Sequence, residues 1–296
     1  MNQRIITGTL FALTVAAFVI PGYWWPGVPL LMLVLVVCLA RTELDHALAV
    51  RQLGLPPVLS RIGALLFLLP LLVLLPQVQE RIAQIRLGQT WLGLLLLMTG
   101  QIAWTAVMAL TLLILQGPPA MPRIVATAAA ITYLAFPCGT AVVILMTLEQ
   151  GWLWLIVALV TPWLSDVLAY FTGYFFGRHK IVPQISPKKT VEGSLGGLVG
   201  GMAALALTLP LIARSPYAIF YQSPAHWLAI VSGGIVLSTA SQLGDWLASG
   251  IKRWCDVKDF GAYLPGHGGT LDRFDSVLFT LPFTLLLAIW SQLAGY

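Results

Sequence analysis

Apolar runs long enough to cross a lipid bilayer recur from one end of this chain to the other, and they leave little room for another kind of fold. A bilayer core takes roughly 20 helical residues to cross. Nine stretches meet or approach that length, at about 5–22, 27–40, 62–79, 90–116, 124–148, 151–176, 194–213, 226–250 and 275–293. The second is short, so the count is eight or nine. With 58% of its 296 residues hydrophobic, only 9% charged and a mean hydropathy of +0.88, the chain reads as an all-α polytopic membrane protein. Arg4 opens a segment without a small-residue cleavage site, so a cleaved leader is not expected.

The net charge of +5 does not point to nucleic acid, because the basic residues are scattered among loops with no soluble domain to present them. They follow the positive-inside bias instead. With the N-terminus in the cytoplasm and nine spans, 13 Lys and Arg fall inside and 3, Arg81, Arg86 and Arg214, outside. That orientation puts both large polar loops on the cytoplasmic side of the membrane. Cys38, Cys138 and Cys255 lie far apart, without the close spacing of a zinc site or disulfide framework, and read as small apolar fillers. Trp24, Trp25, Trp91, Trp152 and Trp154 stand near span ends as interfacial anchors.

Up to about residue 150 the chain is helices with short connections. Its one polar island, Arg41–Arg61, repeats Leu44, Leu48 and Leu55 at near-helical spacing. It is either an amphipathic helix on the membrane surface or a solvated loop, with His46 on its surface.

Function concentrates further on, since seven of the 11 acidic residues lie between 166 and 275. Asp166 stands inside an apolar run, where a lipid-facing carboxylate costs roughly 2.5 to 3.5 kcal/mol on insertion scales. The loop after it carries Arg178, Lys180, Lys188, Lys189 and Glu192, and its lysines suit phosphates as point charges. Gly193, Gly197 and Gly201 recur every four residues without a following Gly-Lys-Ser/Thr, a pattern for close helix packing and not for a phosphate loop. In the eighth span Ser241, Asp245, Ser249 and Lys252 share one helical face, a polar stripe descending from the loop into the membrane.

The densest polar stretch is SGIKRWCDVKDFGAYLPGHGGTLDRFD, residues 249–275. Its glycines lack a Cβ and let the backbone come close to a ligand. Asp272 and Asp275 would share a face of a helix starting there. If Asp166, Asp245, Asp272 and Asp275 converge, their mutual repulsion calls for a cation, most naturally Mg²⁺ with its oxygen ligands. Lysines and arginines beside them equip the site for in-line displacement at phosphorus. Nothing in the chain resembles a P-loop or a Ser-His-Asp hydrolase.

Ser249, Lys252-Arg253, Lys258-Asp259, Pro265-Gly266-His267-Gly268-Gly269, Asp272-Arg273 and Asp275, at these spacings, resemble the signature of the phosphatidate cytidylyltransferases (CDP-diacylglycerol synthases). Ser186-Pro187-x-Lys189-Thr190-x-Glu192-Gly193 resembles a second motif of that family, and Glu43 falls loosely where the family often carries a glutamate. The resemblance implies attack of a phosphatidic acid phosphate on the α-phosphorus of CTP, releasing pyrophosphate and leaving CDP-diacylglycerol. It implies metal ligation by Asp245 and Asp272, with Asp166 and Asp275 in support. Mg²⁺ is the expected metal, and K⁺ is the candidate for a second cation. Lys188, Lys189, Lys252, Arg253, Lys258 and Arg273 would meet phosphates, with Ser249, Asp259, Gly268 and Gly269 also at the substrate. His267 would position a phosphate or move a proton, with positioning favoured. Residues 1–150 would be a scaffold, residues 151–296 the catalytic region, and the assembly a homodimer. Ala248, Val191 and Tyr174 depart from the residues that the family commonly carries there. The alternatives are a CTP-dependent transferase or kinase acting on another lipid, such as an isoprenoid, and an ion-coupled transporter.

Overall fold

In the computed structural model, which describes residues 2–85, 88–214, 216, 220–263 and 268–294, every regular element among those residues is helical. The helices are α1 (Asn2–Val19), α2 (Gly27–Val50), α3 (Pro57–Ala64), α4 (Pro76–Ile82), α5 (Gly88–Gln116), α6 (Met121–Thr147), α7 (Gly151–Phe176), α8 (Val191–Ile212), α9 (Pro224–Trp254) and α10 (Leu271–Ala294). Short 3₁₀ turns follow α1 and precede α6, and a longer one, Leu65–Leu74, continues α3. Helix is the outcome expected of apolar segments in lipid, where each main-chain N–H and C=O must find its partner within the segment.

Eight spans among the described residues are long and apolar enough to cross a membrane. The stretch Thr7–Tyr23, the first of the nine expected from sequence, is apolar but shorter. Pro57–Leu74 reaches the required length by an unusual route. Eight α-helical residues at 1.5 Å and ten 3₁₀ residues at 2.0 Å give about 32 Å, the thickness of the hydrocarbon core. Pro70, inside the 3₁₀ stretch, has no N–H to donate.

The chain divides into two compact units. The first comprises residues 1–149 with Lys252–Phe274, and the second Gln150–Ile251 with Asp275–Tyr296. In the first unit α6 lies at the centre, its residues Pro137–Leu145 all buried, against α2, α3, the 3₁₀ stretch and α5. The outer faces are apolar too: Ile114 and Leu115 of α5 are 82% and 72% exposed. That inversion is ordinary for a surface facing lipid tails, and it would be an association patch in water.

Helix α2 overturns both sequence readings of the polar island. It runs unbroken through Arg41 to Val50, so the first half of the island is neither a surface helix nor a loop but the buried end of a span. Arg41 donates from Nε to Ser60 Oγ at 2.7 Å, and Leu44 and Leu48 are buried. His46 is exposed, as expected. Trp154 differs from the other tryptophans named above: it is 1% exposed, a core side chain of the second unit and not an interfacial anchor. Cys138 and Cys255 are buried fillers, whereas Cys38 is exposed.

The second unit is built on the tightly packed helix pair α7 and α8. A Cβ added at Gly193 would lie 2.9 Å from Ala169 O, and one at Gly200 2.7 Å from Leu164 O and from Ser165 Cα. Those neighbours are backbone, which cannot rotate away. Buried hydroxyls tie α7 to the two helices after α8, with Ser165 Oγ 2.8 Å from Ser238 Oγ of α9 and Thr280 Oγ1 of α10 donating to Ala158 O at 2.8 Å.

Overpacking of this kind typically costs about 1 to 3 kcal/mol. Gly200→Ala is therefore expected to lower the thermal unfolding midpoint in detergent. Gly250→Ala, whose new Cβ meets nothing within 4 Å, is expected to leave it unchanged or raise it slightly. Size-exclusion profiles after a temperature series check both.

Candidate active site

Each unit carries one polar cluster built round an Asp–Lys pair. In the first unit the cluster forms where the loop after α9 turns into α10. A helix start leaves main-chain N–H groups without intrahelical acceptors, and here two carboxylates take them. Glu43, near the C-terminal end of α2, accepts from Thr270 N–H and Leu271 N–H, each at 2.7 Å. Asp272 Oδ2 accepts from Gly269 N–H and Phe260 N–H, each at 2.9 Å, and Asp272 Oδ1 accepts from Lys252 Nζ at 2.7 Å. The Asp272 side chain is 4% exposed and that of Lys252 14%. Lys252 Nζ also stands 5.3 Å from the centroid of the Phe260 ring, within cation–π range.

The glycines of the loop have a definite task in this arrangement. A Cβ at Gly261 or at Gly269 would lie 2.5 Å from Glu43 Oε1, and Gly268 adopts a positive φ of 81°. The backbone thus closes on the Glu43 and Asp272 carboxylates. Arg51 fastens the approach to the loop: its Nε donates to Trp254 O at 2.5 Å, and it pairs with Asp256 at 2.7 Å.

In the second unit Lys189 forms an ion pair with Asp245, both side chains being partly buried. Lys189 is held by a small hairpin between α7 and α8. Thr190 and Lys180 are bridged, Val191 N–H donates to His179 O at 2.8 Å, and Thr190 Oγ1 caps α8 by accepting from Gly193 N–H at 3.1 Å. Glu192 closes the other side. Its Oε2 accepts from the N–H groups of Arg178 and His179 at 3.0 and 3.3 Å, and its Oε1 lies 2.7 Å from His179 Nδ1. Ser241, the deepest member of the stripe on α9, is buried, and its Oγ has no hydrogen-bond partner.

The structure therefore pairs Lys252 with Asp272 and Lys189 with Asp245. Asp275 is buried and its Oδ1 accepts from Ser276 N–H at 2.7 Å. Asp166 is exposed on α7, Lys188, Arg253, Lys258 and Asp259 are exposed, and Ser249 and Arg273 are half-buried. His267 lies outside the described residues. Among the described residues no three Asp, Glu, His or Cys side chains gather closely enough to hold a metal by themselves. The residue undervalued by sequence reasoning is Glu43. The signal for it was its place on the buried stripe of α2, in step with Val36, Val37, Ala40, Leu44, Ala47 and Leu48.

A model of the cytidylyltransferase family matches residues 2–290. A phosphatidate cytidylyltransferase of Bacillus subtilis (strain 168) is 34% identical over 293 residues, covering 98% of this chain and 99% of the relative. Phosphatidate cytidylyltransferases of Staphylococcus saprophyticus and Staphylococcus aureus (strain COL) are 44% and 41% identical over 144 and 145 residues. These staphylococcal matches take in 48% and 49% of this chain and about half, 52%, of each relative's length. Likeness running from the first helix to the last, and not only through the polar loops, shows that the chain belongs to the cytidylyltransferase family.

Proposed function

We propose that this chain is a CTP:phosphatidate cytidylyltransferase, working in the cytoplasmic membrane with its polar loops and N-terminus on the cytoplasmic side. The observation that carries the site assignment is the Lys252–Asp272 pair, a nearly enclosed carboxylate held from three directions within the signature. In the reaction a phosphate oxygen of phosphatidic acid attacks the α-phosphorus of CTP. The new P–O bond forms as the bond from the α-phosphorus to the bridging oxygen breaks, and pyrophosphate leaves with that electron pair. Charge on the phosphates must be neutralised and the attacking and leaving oxygens brought into line.

The donor set suits a hard divalent cation. Mg²⁺ keeps several waters and needs only one or two protein carboxylates when substrate phosphates complete its shell, so the lack of a three-residue cluster among the described residues is compatible with it. Asp272 and Asp245 would be its ligands, with Asp166 and Asp275 in support, and it would supply charge stabilisation to the phosphates. Lys189 and Lys252, each paired with an aspartate, would exchange that partner for a phosphate oxygen. Lys188, Arg253, Lys258 and Arg273 add positive charge for CTP and the lipid phosphate.

Protein purified in detergent is expected to form CDP-diacylglycerol from CTP, phosphatidic acid and Mg²⁺, identified by product mass. Chelation of the metal should abolish turnover, and Asp272→Asn should lower kcat/KM by about 100-fold or more, the scale of losing one preorganised source of transition-state charge stabilisation, here the cation that Asp272 would hold. A product of different mass with another lipid phosphate would redirect the substrate assignment. Ion-driven flux without nucleotide turnover would replace it with transport.

The orientation has its own test. A cysteine placed at exposed Lys258, in a protein whose Cys38 is replaced by alanine, is expected to react with an impermeant maleimide in inside-out vesicles and not in intact cells.

A further inference from the structure

Glu43 is a carboxylate that stability alone does not explain. It is 1% exposed, on a helix otherwise built to cross lipid, and among the described residues no lysine or arginine pairs with it. A buried charge without a counter-ion is costly, and an apolar side chain would fill the space more cheaply. What Glu43 does have is the head of α10. Its two oxygens take the N–H groups of Thr270 and Leu271, where the helix dipole favours negative charge. The next residue is Asp272. One carboxylate thus fixes the peptide planes that lead into Asp272, while Asp272 itself is held by Gly269, Phe260 and Lys252. Gly261 and Gly269 leave no room for a Cβ beside Glu43, so the loop has been built close round this one side chain.

We propose that Glu43 is a positioning residue for the cytidylyl transfer, setting the direction from which Asp272 meets the phosphates and their cation. The proposal rests on the function assigned above. Glu43 does not touch substrate in this scheme. It orients a carboxylate that does, as outer-shell partners orient metal ligands elsewhere.

Glu43→Gln keeps the shape but turns an amide NH₂ toward a main-chain N–H, replacing one of the two hydrogen bonds with a donor–donor clash. Expected is a fall in kcat of about 10- to 100-fold, with KM for CTP and phosphatidic acid within about threefold of wild type. The Mg²⁺ concentration for half-maximal rate should rise. Amide hydrogen exchange should quicken at Thr270 and Leu271, whether or not the enzyme turns over. Glu43→Asp, one methylene shorter, should recover part of kcat. If Glu43→Gln does not fold, Gly261→Ala displaces the same carboxylate without removing it, and the same pattern is expected.

Wild-type kcat and Mg²⁺ dependence in Glu43→Gln, or in Gly261→Ala where that variant stands in, would overturn the proposal. So would unchanged exchange at Thr270 and Leu271. A uniform loss of active protein, with kcat per folded molecule and Mg²⁺ dependence preserved, would also overturn it by reducing Glu43 to a structural part. Wild-type protein that makes no CDP-diacylglycerol would instead overturn the functional reading, and this proposal with it.

Discussion

Four main-chain N–H groups, those of Phe260, Gly269, Thr270 and Leu271, converge on two carboxylates, and the shape of the signature loop follows from that bargain. In a low-dielectric setting neither side does well alone. Unpaired N–H groups at a helix start and bare carboxylates in a protein interior both carry a large desolvation cost, and together they cancel it. The glycines follow from the same constraint, because a backbone wrapped that tightly has no space for side chains. Lys252 then balances the charge of one of the two acids.

The second unit solves a different problem with similar economy. Helices in lipid gain little from hiding apolar surface, so they associate through close packing and a few hydrogen bonds. The small residues of α8 bring α7 and α8 together, and the hydroxyls of Ser165, Ser238 and Thr280 add directional contacts from α7 to α9 and α10. The hairpin that holds Lys189 beside Asp245 grows out of the same helix pair. Rigid packing of the helix pair thus becomes a fixed position for a charge at its end.

Most spans were legible in the sequence because hydrophobic run length is a local property. The span that was cut short, at residue 40 when α2 continues to Val50, failed for a non-local reason. Arg41 and Glu43 look like the end of a run, but their partners lie 19 and 227 residues further along, and pairing is what lets the helix remain buried. The same distance hid the task of the glycines. Their need for close approach is readable in the sequence, whereas the Glu43 side chain beside Gly261 and Gly269 is not, because it comes from a helix far back in the chain. Lys252 and Asp272 were both singled out from the signature, whereas their mutual pairing, and that of Lys189 with Asp245, depends on the fold.

The segment Lys252–Phe274 leaves the second unit on one helix, folds among the residues of the first, and returns on another. This has a consequence for biogenesis. The helices of the first unit are synthesised and inserted long before their last piece exists, and Glu43 waits, in sequence, for partners 227 and 228 residues later. Contacts of such separation pay their loop-closure entropy late and form slowly. Until the ribosome has released residues 252–274, the nascent protein is a set of inserted helices with a carboxylate that has no N–H groups to accept from. The capped start of α10 is therefore completed last, from residues far apart in the chain, and neither half translated alone contains it.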